Sequence, residues 1–212
     1  MTGEALPART LASRLVVVAR ATRAEDYAPV LDTLAEAGIR SVELTLTTPG
    51  TFDRFADLRS RFGDALDLGI GTVTTPAQLE RAIEVGAEYV VTPITSAALV
   101  ERAVAASMPI VPGGLTPTEL FASWSAGASA VKIFPAGQVG PGYLSDLRGP
   151  FPDIAVVPSG GVDAEGAAAW LAAGAVAVSV GGPLLGDAFR GGDRAGLRER
   201  AARFVDVCAG AS

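Results

Sequence analysis

The sequence predicts an α/β protein of the (β/α)₈-barrel class with an extra N-terminal helix, and three observations support this prediction. Short apolar runs alternate with amphipathic segments along the whole chain. Most runs are rich in Val and Ile and almost continuously apolar, as expected for parallel strands buried on both faces. A glycine separates a helix from a strand at four regularly spaced positions. Eight such strand–helix units in 212 residues are typical of a closed barrel.

The predicted elements follow one another in the order that a barrel requires. The extra helix is expected around residues 3–13, before the first strand. The clearest of the later helices are amphipathic or begin at a Thr-Pro pair, and they span 24–38, 75–87, 116–128 and 193–210. The eight predicted strands span 15–20, 41–46, 67–73, 89–93, 109–114, 130–136, 154–161 and 177–182.

The repeated glycines justify the pairing of helices with strands. Gly38, Gly86, Gly127 and Gly174 precede the second, fourth, sixth and eighth predicted strands. Glycine at the end of a helix takes the left-handed conformation without steric cost. An open doubly wound sheet is the alternative, but the chain has no dinucleotide-binding glycine fingerprint. We therefore expect residues 1–212 to form a single barrel domain.

Composition and charge restrict the function classes. The net charge of -6 and the lack of a basic stripe argue against a nucleic-acid partner. No apolar stretch approaches the length of a membrane span, and no secretory signal is evident, so we expect a cytoplasmic protein without a membrane partner. The single cysteine, Cys208, is interpreted as a buried apolar residue, with a reactive thiol as the alternative.

The chain contains no histidine. This absence excludes Ser-His-Asp and Cys-His nucleophile systems and most zinc sites. We predict neither a metal ion nor a cofactor.

Lys132 is the only lysine among 17 basic residues, and it lies in the apolar sixth strand. A structural ion pair would be served equally well by arginine, which the chain uses everywhere else. Lysine, unlike arginine, can lose its proton and act as an amine nucleophile. Because barrel active sites form at the C-terminal ends of the strands, Lys132 is predicted to be catalytic.

Glu43 lies in the second strand, "SVELTL". Alternation along the strand places Glu43, Thr45 and Thr47 on the face opposite the leucines, and therefore inside the barrel. An inward carboxylate near an inward lysine supplies the acid/base group and the nucleophile of Schiff-base chemistry. The alternative is a structural ion pair, with Lys132 as one candidate partner.

Polar and glycine residues cluster at the other strand ends. The turns "PSGGV" and "SVGGPL" follow the seventh and eighth strands, where barrels often bind phosphate. Further residues at strand ends are Arg20, Thr47, Thr72, Pro93 and Phe134.

Several motifs together resemble a known family. "VELTLTTPG", "GIGTVTTPAQL", "VTPITS", "VPGGLTPTE", "AVKIFPAGQVGPGYLSDLRGPFP" and "VPSGGV" are similar to the class I 2-keto-3-deoxy-6-phosphogluconate (KDPG) aldolases, over about residues 15–205. The resemblance implies a lyase that forms a Schiff base between Lys132 and pyruvate or the keto acid, with Glu43 moving protons. It implies a homotrimer, and no metal.

The resemblance also implies the binding residues. Thr72, Pro93 and Phe134 would line the pyruvate pocket. The phosphate would be bound by Ser159, Gly160, Gly161, Gly181 and Gly182.

Two positions depart from the gluconate-type pattern. Thr47 stands where these members have an arginine that helps to hold the carboxylate, and Arg20 could supply this cation instead, as in the related 6-phosphogalactonate aldolases. Pro183 stands where these members tend to have serine, and proline offers neither an N–H nor a hydroxyl.

The sequence thus predicts cleavage of 2-keto-3-deoxy-6-phospho sugar acids, of the gluconate or galactonate type, to pyruvate and glyceraldehyde 3-phosphate. Two alternatives stay open. One keeps the lysine chemistry on 4-hydroxy-2-ketoglutarate or oxaloacetate with a weak phosphate requirement. The other is a non-catalytic barrel that binds sugar phosphates.

Overall fold

Short parallel strands alternate with helices along the chain. The computed structural model describes residues 3–210. Within this range the strands, labelled β1 to β9 in order, are Leu15–Ala19, Ser41–Thr45, Asp67–Gly71, Val90–Val91, Ile110–Val111, Gly113–Gly114, Val131–Ile133, Val156–Pro158 and Val178–Val180. The helices, labelled α1 to α10, are Ala8–Ser13, Tyr27–Glu36, Thr51–Phe62, Pro76–Glu84, Ala97–Ala105, Pro117–Ser125, Gly142–Arg148, Ala164–Ala172, Gly182–Leu185 and Arg194–Gly210. Single 3₁₀ turns occupy Ala24–Asp26, Ala136–Gln138 and Ala188–Arg190.

The strands form a curled parallel sheet in two hydrogen-bonded parts. Six strands follow the order β5-β4-β3-β2-β1-β9, and three follow the order β6-β7-β8. The two parts approach each other between β8 and β9, where the Val176 N–H donates to the Val156 carbonyl at 3.0 Å. An isolated parallel bridge joins Ser159 to Ser179 just beyond. The α/β class with a parallel sheet is therefore confirmed.

The predicted fifth strand, 109–114, is divided at Pro112 into β5 and β6. Val111 of β5 pairs with Val91 of β4, whereas Gly113 of β6 pairs with Lys132 of β7. Proline has no N–H and therefore cannot donate a hydrogen bond to a neighbouring strand. Its carbonyl still accepts from the Lys132 N–H at 2.8 Å. The prediction of one continuous strand is wrong, because the chain changes partners at this proline.

The two faces of the sheet are buried in different clusters. On β1, Leu15 and Val17 belong to a large cluster that includes residues of most of the helices, whereas Val16 belongs to a smaller one. This alternation follows from the pleat of the strand. The smaller cluster combines Leu6 of the N-terminal segment with side chains from successive strands: Val16, Tyr89, Val91, Val111, Ala130, Val157 and Ala177.

The helix ends follow the sequence closely. All four glycines of the helix–glycine–strand repeat have φ between 80° and 99°, so their left-handed conformation is confirmed. Both α4 and α6 begin with a complete capping box, formed by Thr75 with Gln78 and by Thr116 with Glu119. The long α10 packs against α2 and α8.

A buried polar chain links the N-terminal segment to the strand beginnings. The Thr10 N–H donates to an Asp67 carboxylate oxygen at 2.8 Å. The Thr10 hydroxyl lies 2.9 Å from both that oxygen and the Ser41 hydroxyl, which lies 2.9 Å from the Tyr89 hydroxyl. Burial raises the pKa of Tyr89 well above its usual value, so its O–H stays protonated. This chain of hydrogen bonds lies at the end of the sheet where the strands begin, opposite their C-terminal ends.

The lone cysteine lies inside the large cluster. Cys208 is 2% exposed, and burial raises the pKa of its thiol to about 11. The buried interpretation of Cys208 is thus favoured over the reactive thiol. Among residues 3–210, no helix is both long and apolar enough to cross a membrane.

Candidate active site

A cavity of about 480 Å³ opens at the C-terminal ends of the strands. It is larger than two other cavities, of about 370 Å³ at the end of α3 and of about 190 Å³ between α2 and the start of α10. Every residue predicted to belong to the site, except Thr47, lines the larger cavity: Arg20, Glu43, Thr72, Pro93, Lys132, Phe134, Ser159, Gly160, Gly161, Gly181 and Gly182. Residues from β2, β7 and the segments after β1, β3, β4, β7, β8 and β9 thus meet at one place.

Lys132 occupies the middle of β7 and is only 7% exposed. Its register places it beside Gly113 on one side and Val157 on the other, so no bulky polar neighbour crowds it. Nζ lies 5.4 Å from the centroid of the Phe134 ring. Within residues 3–210 the ammonium makes no hydrogen bond and no ion pair. A buried amine that makes no hydrogen bond and no ion pair with the described residues is available to react with a ligand in the cavity.

Glu43 occupies the middle of β2 and is 1% exposed. Its Oε2 atom is buried and has no hydrogen-bond partner in the described part of the chain. The carboxylate fits because Gly71 has no side chain, since a Cβ at Gly71 would lie 1.8 Å from Glu43 Oε1. No ion pair within 4.0 Å joins Glu43 to Lys132 among the described residues, so the structural ion pair is not favoured.

The Tyr89 ring lies next to Glu43, on the side towards the beginnings of the strands. Glu43 pairs with Gly69 on β3, and a Cβ at Gly69 would lie 2.3 Å from the Tyr89 ring. The ring therefore crosses Gly69 towards β2, where its hydroxyl meets Ser41. The ring fills the space beneath the carboxylate, which is left to face the cavity.

Thr72, directly after β3, has a strained backbone. Its φ of 63° lies in the left-handed region, which is rare for a β-branched residue. Strain of this kind concentrates at functional sites, where the surrounding structure maintains it. Thr72 is one of the residues that line the cavity.

Glycine-rich turns form the side of the cavity that follows β8 and β9. Gly160 and Gly161 have φ of 85° and 78°, which other residues adopt only with strain. A Cβ at Gly160 would also lie 3.0 Å from the Phe134 ring. Just before this turn, the Ser159 hydroxyl donates to Ser179 at 3.2 Å. Gly181 and Gly182 precede Pro183, and all three line the cavity.

Thr47 does not line the cavity. β2 ends at Thr45, and the Thr48 N–H donates to the Thr45 carbonyl at 3.1 Å to form a turn. Strand alternation therefore does not extend to Thr47, whose exposed side chain donates to the Thr45 hydroxyl at 3.1 Å.

Arg190, in the 3₁₀ turn that follows α9, was not predicted from the sequence. Arg190 is exposed and lines the cavity together with Arg20, although its stretch has only the character of a loop. Its place shortly after the glycine turn of the last strand was the available signal, because all such turns lie at one end of the sheet. Ser179 and Phe189 also line the cavity and were not predicted.

The ionisable side chains around the cavity do not resemble the ligands of a metal centre. Among residues 3–210, no group of three or more His, Cys, Asp or Glu residues is close enough to hold a metal ion. The ionisable residues of the cavity are three cations, Arg20, Lys132 and Arg190, and one carboxylate, Glu43. This arrangement suits an anionic ligand that reacts with an amine.

Comparisons with known proteins agree with this chemistry. The sequence profile of the family described as "KDPG and KHG aldolase" matches residues 8–195. The 2-dehydro-3-deoxy-6-phosphogalactonate aldolase of Escherichia coli K12 is 33% identical over 171 residues, which cover 80% of this chain and 83% of that protein.

Two solved structures show the same fold. One, described as native KDPGal, has a TM-score of 0.86 and 30% identity, and the alignment covers all of this chain and 98% of that one. The other is the KDPG aldolase of Legionella pneumophila with pyruvate captured as a covalent carbinolamine intermediate. Its TM-score is 0.80 with 26% identity, and the alignment covers 97% of both chains.

Proposed function

The chain belongs to the KDPG and KHG aldolase family, and from this premise we propose that it is a class I aldolase that cleaves 2-keto-3-deoxy-6-phospho sugar acids to pyruvate and glyceraldehyde 3-phosphate. The observation that carries the proposal is the pair of buried residues, Lys132 and Glu43, that line one cavity and make no side-chain hydrogen bond or ion pair within residues 3–210. The reaction is reversible, and the enzyme is a lyase.

Lys132 is the nucleophile in this proposal. Its uncharged amine attacks the C2 carbonyl of the keto acid, and loss of water from the carbinolamine gives a protonated Schiff base. The protonated imine withdraws electrons more strongly than the ketone does. The C3–C4 bond can therefore break, leaving its electron pair on pyruvate as an enamine. Protonation at C3 and hydrolysis of the imine then release pyruvate and restore the amine.

Glu43 is the acid/base group. As the C3–C4 bond breaks, the C4 hydroxyl becomes an aldehyde and its proton must be accepted. The unpartnered Oε2 atom suits this task because no other described group competes for it. The same carboxyl group can assist the dehydration of the carbinolamine.

The anionic ends of the substrate are assigned to opposite sets of residues. Arg20 and the Thr72 hydroxyl hold the carboxylate next to C2, with Pro93 and Phe134 around the pyruvate portion. The backbone at Gly160, Gly161, Gly181 and Gly182, with Ser159, holds the phosphate. Support comes from the position of all these residues around one cavity and from the left-handed glycines, which let a ligand approach the backbone.

We also propose a complete (β/α)₈ barrel for residues 1–212, as a single domain. The order of strands and the bridge between Ser159 and Ser179 support closure, with β5 and β6 together counting as the fifth strand. The family resemblance leads us to propose a cytoplasmic homotrimer.

One observation favours a second candidate function. Pro183 has no N–H that could donate to a phosphate oxygen. A smaller substrate such as 4-hydroxy-2-ketoglutarate or oxaloacetate would therefore lose less binding energy at this site than a phosphorylated keto acid would. Turnover of phosphorylated and unphosphorylated keto acids separates the two functions. Kinetics on the gluconate and galactonate epimers, measured side by side, establish the preferred configuration at C4.

Borohydride trapping tests the proposal directly. The protein is incubated with pyruvate and reduced, and the modified peptide is identified by mass spectrometry. We expect a stable adduct on Lys132. An unmodified lysine in protein that binds pyruvate would refute the aldolase and would favour a barrel that only binds sugar phosphates.

A further inference from the structure

Arg190 is a cation at the cavity that the proposed roles do not use. Arg190 lines the cavity, yet its side chain makes no hydrogen bond or ion pair with any residue of the range 3–210. By contrast, Arg54, Arg61, Arg81, Arg102 and Arg198 each pair with a carboxylate on the surface. An arginine that is left unpaired beside a cavity is available to a ligand.

The segment that carries Arg190 is fixed from two sides. Arg200 of α10 donates to the Leu184 and Leu185 carbonyls at 2.8 and 3.1 Å, at the end of α9. On the other side, the Phe189 ring meets the buried Tyr27 ring edge-on, with 5.8 Å between centroids. The Arg190 N–H donates to the Asp187 carbonyl at 2.7 Å. Arg190 is therefore presented to the cavity from an ordered turn.

The charge of the cavity matches a ligand with two anionic ends. Arg20 and Arg190 both line it without an acidic partner, and Glu43 is its only carboxylate among the described residues. The protein as a whole carries a net charge of -6, so the cationic cavity is a local feature. One arginine for each anionic end is the simplest distribution of these charges.

Pro183 and Arg190 lie at the two ends of one short connection. The connection begins at the glycines after β9, passes through α9 and returns to the cavity at the 3₁₀ turn. Pro183 can donate no hydrogen bond, whereas the guanidinium of Arg190 can donate two in parallel to phosphate oxygens.

We propose that Arg190 is a specificity-determining residue that binds the substrate's phosphate and replaces the contact that proline cannot make. This inference rests on the proposed aldolase function. It predicts a preference for the phosphorylated keto acid in spite of Pro183.

The test compares Arg190→Gln and Arg190→Lys with Arg194→Gln. Arg194 is a matched control because it begins α10 close by, is exposed and does not line the cavity. We expect Arg190→Gln to lower kcat/KM for the phosphorylated keto acid by about 10- to 100-fold, the usual effect of losing a charge-assisted contact. The unphosphorylated keto acid should change by less than about twofold. Lysine keeps the charge but loses the planar fork, so its effect should be intermediate.

A second measurement does not depend on turnover. Calorimetric titration with inorganic phosphate should give weaker binding to Arg190→Gln than to the wild type and to Arg194→Gln. Equal losses for both keto acids, or unchanged phosphate binding in Arg190→Gln, would overturn the inference. A missing pyruvate adduct in the wild type would refute the aldolase instead, and the phosphate titration would still decide the role of Arg190.

Discussion

At the scale of single residues, the site depends on groups that the fold buries without a partner. Removing a charged group from water is costly, and proteins normally repay this cost with hydrogen bonds or ion pairs. Lys132 and Glu43 have neither in the described part of the chain. A substrate with a carbonyl and a hydroxyl would supply the missing partners, which is the reason for treating the pair as chemical and not structural.

Replacement of Lys132 by arginine tests the chemical role. Arginine keeps the positive charge and a long apolar stem but stays protonated, so it cannot attack a carbonyl. We expect Lys132→Arg to fold normally, as judged by near-UV circular dichroism, and to lose at least about 1,000-fold in kcat. The borohydride adduct with pyruvate should disappear. A loss of kcat clearly smaller than this, or a borohydride adduct that persists, would contradict a Schiff base at position 132.

Replacement of Thr72 tests the strained turn after β3. The left-handed conformation costs a non-glycine residue about 1–2 kcal/mol, and glycine avoids this cost. Glycine also makes the unfolded chain more flexible, which offsets about 0.5–1 kcal/mol of the gain. We expect Thr72→Gly to raise the free energy of unfolding by about 0.5–1 kcal/mol in urea titrations. Its kcat/KM should fall by about tenfold, because the hydroxyl proposed to hold the carboxylate is gone.

Ser107 provides the control for Thr72. It also has a left-handed backbone, with φ of 52°, but it is exposed after α5 and does not line the cavity. Ser107→Gly should stabilise the protein without a change in kcat/KM. A loss of activity in both variants would show that a left-handed glycine lowers activity wherever it stands, and would contradict the assigned role of Thr72 at the cavity.

Predictability at the residue scale depended on whether a side chain lay inside a strand. Glu43 could be placed because its strand alternates between polar and apolar residues, and Lys132 because it lies in an otherwise apolar strand. Thr47 could not, because the chain turns after Thr45 and the alternation ends there. Arg190 was missed because no periodic pattern states where a residue of a 3₁₀ turn points.

At the scale of elements, the start of α6 offers a pH-dependent test. Backbone and side-chain hydrogen bonds from Thr116 lower the pKa of Glu119 below its model-peptide value of 4.5. A lowered pKa in the folded state stabilises the protein above pH 4.5, and this contribution is lost as the pH falls through the folded-state pKa. Glutamine at this position could cap the helix but could not titrate.

Glu119→Gln should therefore change the pH dependence of stability. We expect the free energy of unfolding of the wild type to exceed that of Glu119→Gln by a few tenths of a kcal/mol at pH 7. Solvent screening at this exposed site limits the difference. The difference in urea unfolding should shrink as the pH falls below 4.5. The capping box of α4 has glutamine already, so Gln78→Glu should introduce the same pH dependence there. A difference that grows as the pH falls would contradict the assigned sign.

Elements with a complete local signal were predictable. The Thr-Pro starts and the left-handed glycines define helix ends through contacts within a few residues. The fifth strand was not, because its division depends on which neighbours are available on either side of Pro112. The partners of a strand are determined in the assembled sheet, and they cannot be predicted from a short apolar run alone.

At the scale of the whole molecule, the candidate active site and the N-terminal segment lie at opposite ends of the sheet. The strand ends carry the cavity, whereas the strand beginnings are covered by the N-terminal segment. Leu6 joins the cluster inside the curled sheet, and Thr10 joins the polar chain that runs from Asp67 through Ser41 to Tyr89. The N-terminal segment therefore packs at the end of the sheet away from the cavity mouth, where Leu6 and Thr10 line a small internal cavity together with Glu43 and Lys132.

Replacement of Leu6 tests this separation. Leu6 is 5% exposed, and truncation of a buried leucine to alanine costs about 2–5 kcal/mol through lost burial and the cavity that remains. Leu11, on α1, is 41% exposed, so Leu11→Ala should cost less than about 0.5 kcal/mol. We expect Leu6→Ala to lower the free energy of unfolding by at least about 2 kcal/mol while kcat at 25 °C stays within about twofold of wild type. A selective loss of kcat in folded Leu6→Ala would instead show that packing at the strand beginnings reaches through the Tyr89 ring to the carboxylate of Glu43.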